Sequence, residues 1–123
     1  MTTLSCADNF WTALDTLIVD SQIIIDRPRG SRHPKFEHII YPLDYGYLKN
    51  TSLMDGSGID LWRGTGNDAT LDAIIVTVDL MKRDSEIKLL LGVSEDEKSI
   101  IHDFHNNSIY MKGIIINRPA EDP

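Results

Sequence analysis

The chain has 123 residues, enough for one compact domain and too few for a second core with a linker. Its 19 acids against 12 bases give a net charge of −7, which disfavours a general polyanion binder, because non-specific nucleic-acid affinity comes mainly from lysine and arginine neutralising phosphates. Apolar residues make up 41%, too many for a disordered chain, and no apolar run approaches the roughly 20 residues of a membrane span.

Residues 8–20, DNFWTALDTLIVD, predict an amphipathic helix with Asp8 as N-cap and Phe10, Leu14, Leu17 and Ile18 on its apolar face. QIIID reads as a strand ending at Asp26, and RPRGSRHP as a basic turn punctuated by Pro28, Gly30 and Pro34. Residues 35–49 read as short extended pieces broken by Pro42 and Gly46. After a glycine-rich turn, IDLW predicts a strand and RGTGNDAT a loop. LDAIIVTVDLM and EIKLLLGV predict two strands joined by the charged turn KRDS. Ser94, with Glu97 three residues on, is a capping box opening a second helix, and YMKGIIIN closes the chain as a strand. About five strands with helices near both ends predict a mainly β (α+β) single domain over 1–123, a small twisted sheet or barrel with helices packed outside. The single cysteine, Cys6, can form no internal bridge, and no basic-then-apolar leader opens the chain, so a cytoplasmic protein is expected.

Three constellations carry chemistry. In DGSGID, Gly56 and Gly58 allow a tight bend that can converge Asp55 and Asp60 on one hard cation; the same pattern also serves as a plain turn. Arg27, Arg29, Arg32 and Lys35 cluster within nine residues of an acidic chain, as a phosphate-gripping turn or a solvated charged loop. In KRDSEIK, Glu86 and Lys88 share one strand face under a two-residue period, whether as part of a pocket or of an ordinary charged hairpin. His102 and His105, three apart on the second helix, read as a polar helix face.

Taken in order, IIIDRPRGSRHPKFE, YPLDYGYLKNT, DGSGIDLW and DSEIKLLLGV resemble the soluble family I inorganic pyrophosphatases, from about Ile23 to Val93. That family shows an acid-x-Pro after an apolar strand, a basic Gly-Ser-Arg turn, Lys-aromatic-Glu, Y-P-x-x-Y-G-[FY]-x-x-x-T and D-G-D-P-x-D-[VL]. The resemblance implies a small, highly twisted five-stranded OB-like barrel with flanking helices. It also implies hydrolysis of pyrophosphate to two phosphates with several magnesium ions, which activate water and neutralise phosphate oxygens. By this resemblance Asp55, Asp60, Asp84 and Glu86 bind metal, and Asp55, Asp60 and Tyr45 are catalytic. Lys35, Tyr41 and Lys88 hold phosphate, while Asp26, Glu37 and Ser57 stand beside these groups. Family members are commonly oligomers, so a homo-oligomer is expected, with no nucleic-acid or membrane partner.

The chain also departs from the pattern. Ser57 replaces the turn's middle aspartate, and a hydroxyl is no general base near neutral pH. Gly58 replaces the following proline. The hairpin carrying the family's phosphate-binding arginine is nearly absent, which leaves Arg29, or Arg32, to contact phosphate. KRDSEIK is shorter than its counterpart, and Tyr110 and Lys112 match the family's C-terminal Tyr-Lys pair only loosely. A catalytically impaired or repurposed phosphate- or metal-binding protein, or a hydrolase of another small phosphoanhydride, is the alternative expectation.

Overall fold

The computed structural model describes residues 6–53 and 56–120, so Asp55 and its neighbour Met54 lie outside the described residues. Among the described residues helix α1 (Cys6–Val19) already includes Asp8, so that residue lies within the helix and not at its cap. Trp11, with Leu14 and Ile18 beside it, packs into the core, while Phe10 and Leu17 stay exposed.

Six strands follow: β1 (Gln22–Arg27), β2 (Asp44–Lys49), β3 (Asp60–Arg63), β4 (Leu71–Asp79), β5 (Asp84–Leu91) and, after α2 (Glu95–Asn106), β6 (Met111–Asn117). They form one mixed sheet in the order β1-β2-β3-β5-β4-β6, antiparallel throughout except for the parallel β3–β5 seam. The fold is therefore mainly β with two helices, as expected, but the sheet does not close into a barrel. Among the described residues β1 pairs with β2 alone and β6 with β4 alone, which leaves two open edges.

The strand beyond the expected five is β2, which runs unbroken through Gly46. A Cβ there would come within 1.8 Å of the Ile24 carbonyl oxygen, so glycine is demanded by close approach of β1 and does not interrupt the strand. That approach coincides with a bulge in β1, whose register against β2 shifts between Ile24 and Arg27.

The sheet buries both faces. Leu48, Leu61, Ile74, Leu89 and Leu91 pack under α1. Tyr45, Trp62, Ile75 and Leu90 pack under α2 with its Ile101 and Phe104. The predicted capping box fixes α2: Ser94 Oγ accepts from the Glu97 N–H at 3.1 Å, and Glu97 Oε1 accepts from the Ser94 N–H at 3.0 Å. Glu97 also accepts from the Thr65 N–H, tying the β3–β4 connection to the helix. Burial would raise its carboxyl pKa, but those backbone donors outweigh burial and hold it below the usual range. No helix among the described residues is long and apolar enough to cross a membrane.

Candidate functional site

The α2 face of the sheet carries a buried polar cluster where β2, β3 and β5 run side by side. Thr51 positions one member. Its hydroxyl donates to the Leu48 carbonyl at 2.8 Å and accepts from the Ile59 N–H at 2.9 Å, closing the connection so that β3 begins at Asp60. Asp60 then lies diagonal to Tyr45, because Tyr45 pairs with Trp62 and Tyr47 with Asp60. One residue further along the parallel seam than the Leu61–Leu89 pair, Asp60 comes level with Lys88.

Tyr45 donates its phenolic proton to Asp60 Oδ2 at 2.5 Å. The Lys88 ammonium donates to Tyr45 Oη at 2.9 Å, to Asp60 Oδ2 at 3.2 Å and to Glu86 Oε2 at 3.2 Å. An ammonium has three protons, so every donor of Lys88 is used. Burial would lower the Lys88 pKa, but Tyr45, Asp60 and Glu86 outweigh it and keep the amine protonated. Burial raises the Tyr45 pKa further than Lys88 lowers it, so this group stays a phenol.

Arg27 joins the cluster from β1. Under strict alternation Ile23 and Ile25 face α1 while Ile24 and Asp26 face α2, which would turn Arg27 away from the site. The bulge reverses this and brings Arg27 into register with Tyr45. Its guanidinium donates from Nη1 to the Tyr41 hydroxyl and lies 5.5 Å from the Tyr41 ring centre and 5.9 Å from that of Tyr45. Nη2 and Nε make no hydrogen bond, and no carboxylate lies within ion-pair distance, among the described residues. Tyr41 is held by the turn before it, with the Gly30 N–H donating to its carbonyl at 2.8 Å and its own N–H donating to Ser31 at 2.9 Å.

The expected site residues thus divide. Tyr41, Tyr45, Asp60, Glu86 and Lys88 come together. Asp84 shares their strand face but lies four residues from Lys88, about 13 Å of strand. Asp26 is exposed on the bulge, and Arg29, Lys35 and Glu37 are exposed in the β1–β2 connection. There the Arg29 N–H donates to Asp44 Oδ1, the Lys35 N–H to His33 Nδ1, and the Glu37 carbonyl accepts from Arg32. Ser57 is exposed, and its carbonyl accepts from the Leu53 N–H at 2.6 Å.

Arg27 was in the sequence's basic cluster, but nothing there distinguished it from Arg29. The distinguishing signal is Gly46, the residue that admits the bulge. His105 corrects the expected polar helix face. It is buried, its Nε2 accepts from Trp62 Nε1 at 2.9 Å, and burial, with Lys88 adding to it, pushes its pKa down to about 3.

The carboxylates are the right kind of donor for a hard cation such as magnesium. Asp60 Oδ1 and Glu86 Oε1 carry no hydrogen bond among the described residues, whereas Asp60 Oδ2 and Glu86 Oε2 are taken by Lys88. No group of three or more His, Cys, Asp or Glu is poised to hold a metal among the described residues. No family model matches the chain, and no curated protein matches it.

Proposed function

We propose that this protein is a cytoplasmic, magnesium-dependent hydrolase of inorganic pyrophosphate or a closely related small phosphoanhydride. The observation that supports this reading is the convergence of Tyr45, Asp60, Glu86 and Lys88. The family likeness picked these residues from separate motifs, and they meet in one buried cluster beside Arg27 and Tyr41. The OB-like barrel of that family would need the sheet to close on itself. The proposed chemistry does not require it, because the cluster rests on three adjacent central strands.

In this reading Asp60 and Glu86 would hold magnesium, with Asp55 supplying a further ligand by the resemblance alone. The ion supplies a water of lowered pKa and charge to offset the phosphate oxygens. Tyr45 orients the Asp60 carboxylate by donating to it, and Lys88 fixes Asp60 and Glu86 relative to each other. Arg27 grips an outer phosphate oxygen with the guanidinium edge that Tyr41 leaves open. Ser57 stands beside that water by the resemblance alone, as a hydrogen-bond donor and acceptor that does not take its proton.

A second reading, a phosphate- or metal-binding protein that turns over slowly, is favoured by Ser57, whose hydroxyl cannot take a proton from water near neutral pH. The three engaged donors of Lys88 also leave none to stabilise a leaving phosphate. Phosphate release from pyrophosphate with magnesium separates the two. The hydrolase reading expects turnover that falls about 100-fold or more in Asp60→Asn, the scale of losing one preorganised electrostatic group. It also expects a KM raised roughly tenfold in Arg27→Met, about the strength of one charge-assisted hydrogen bond. Thermal stabilisation by magnesium and pyrophosphate without phosphate release selects the binding reading. Neither response would overturn both.

A further inference from the structure

The downstream half of β6 is an unprotected sheet edge. β6 pairs with β4 in the register Ile74↔Ile116, Ile75↔Ile115 and Val76↔Ile114. In an antiparallel ladder alternate residues turn both backbone groups toward the partner strand, and the rest turn them away. Gly113 identifies the outward set, because its N–H donates to Asn106 Oδ1 at 3.1 Å and its carbonyl accepts from Asn106 Nδ2 at 3.0 Å. Asn106 thereby stands in for a neighbouring strand at that point. Ile115 and Asn117 belong to the same outward set, and nothing bonds their outward groups among the described residues.

The opposite edge is defended. β1 is bulged and carries Asp26 and Arg27, two of the usual devices against edge pairing. The stretch 114–117 has no charge, proline or bulge. Two of its isoleucines are also left in solvent on the α1 side, Ile114 at 63% and Ile116 at 43% exposure.

We propose that a second copy of this chain pairs antiparallel along this edge, about a two-fold axis through Ile116, joining the two sheets into one. Ile115 of each copy then exchanges both its backbone bonds with Asn117 of the other. No outward group is left over, and the Asn106–Gly113 pair is undisturbed. The two Ile116 side chains meet across the axis, each with an Ile114 diagonal to it. The edge is complementary to itself: the two outward residues of each copy satisfy those of the other through four backbone bonds. An open groove of about 290 Å³ lies between α2 and β6, lined in part by Ile115 and Asn117. Charge permits the match as well. The two-fold turns α2 end for end, so the Lys98 end of one copy lies toward the Asp103 end of the other. This inference is independent of the catalytic reading.

Light scattering on the full chain across a concentration series is expected to show the mass rising from 13.9 kDa to twice that value. Ile116→Lys, at an exposed position, should remain at the monomer mass at concentrations where the wild type is dimeric, with an unchanged circular dichroism spectrum. In a Cys6→Ser background, Ile116→Cys should oxidise to a self-linked dimer, because directly opposed residues of this kind sit about 4.5 Å apart at Cα. Ile114→Cys should not, since its two copies would lie about 13 Å apart. A mass that stays monomeric, a dimer indifferent to Ile116→Lys, or equal cross-linking by the two cysteine variants would each overturn the proposal.

Discussion

Lys88→Met keeps the aliphatic stem and deletes the ammonium. In the wild type that ammonium satisfies Tyr45, Asp60 and Glu86 at 2.9, 3.2 and 3.2 Å from a side chain only 7% exposed. Removing one partner of a buried ion cluster typically costs about 3–5 kcal/mol, because the charges left behind are neither paired nor hydrated. The Asp60 and Glu86 side chains are 28% and 18% exposed, so water reaches them in part, and the expected loss is about 3 kcal/mol, the lower end of that range. With a urea slope of about 1.5 kcal/mol per molar, the unfolding midpoint at pH 7 should fall by roughly 2 M. Adding Asp60→Asn and Glu86→Gln to Lys88→Met removes the stranded charges and should restore more than half of the loss. Urea titration followed by far-UV circular dichroism measures all of these. A single-variant loss below about 1 kcal/mol would show that the ammonium is not coupled to the cluster. A triple variant no better than the single would show that the cost is packing and not charge.

Two further outcomes concern His105 and Gly46. His105 is held neutral in the fold with its pKa near 3, while the unfolded chain binds a proton below about 6.5. Between those values the unfolded state holds the extra proton, so stability is complete above pH 6.5 and falls with acidification, by up to about 1.4 kcal/mol per pH unit from this group. The melting temperature of His105→Gln should fall less steeply between pH 6.5 and 4 than that of the wild type, and parallel slopes would refute the assignment. Gly46→Ala would drive a methyl group into the Ile24 carbonyl, so a loss of about 3 kcal/mol or more is expected in the same urea titration. A near-neutral result would mean that β1 can move aside.

What could be read from the sequence was whatever local rules control. The capping box at Ser94 and Glu97, the β4–β5 hairpin and the shared face of Glu86 and Lys88 each depend on spacings of two or three residues, and each is present. Residues decided by contact between distant segments were not legible. Gly46 resembles a strand breaker until β1 is placed beside it. Arg27 resembles any member of a basic turn until the bulge rotates it toward Tyr41. His105 resembles a surface histidine until Trp62, 43 residues earlier, presents its indole N–H. The parallel β3–β5 seam, which brings Asp60 level with Lys88, has no signature in either strand.

That seam also implies an order of assembly. β4 and β5 meet across a four-residue turn, whereas β3 reaches β5 only after the chain has travelled from Arg63 through all of β4 and back to Asp84. Closing the longer loop costs more chain entropy, so the topology predicts that the hairpin forms first and the seam later. Until β3 docks, Lys88 rides on the hairpin with its charge in water beside Glu86. The step that completes the parallel pairing is the same step that strips water from the ammonium and delivers Asp60 and Tyr45 to it. Desolvation and pairing thus coincide, and an isolated charge never has to be buried on the way to the folded protein.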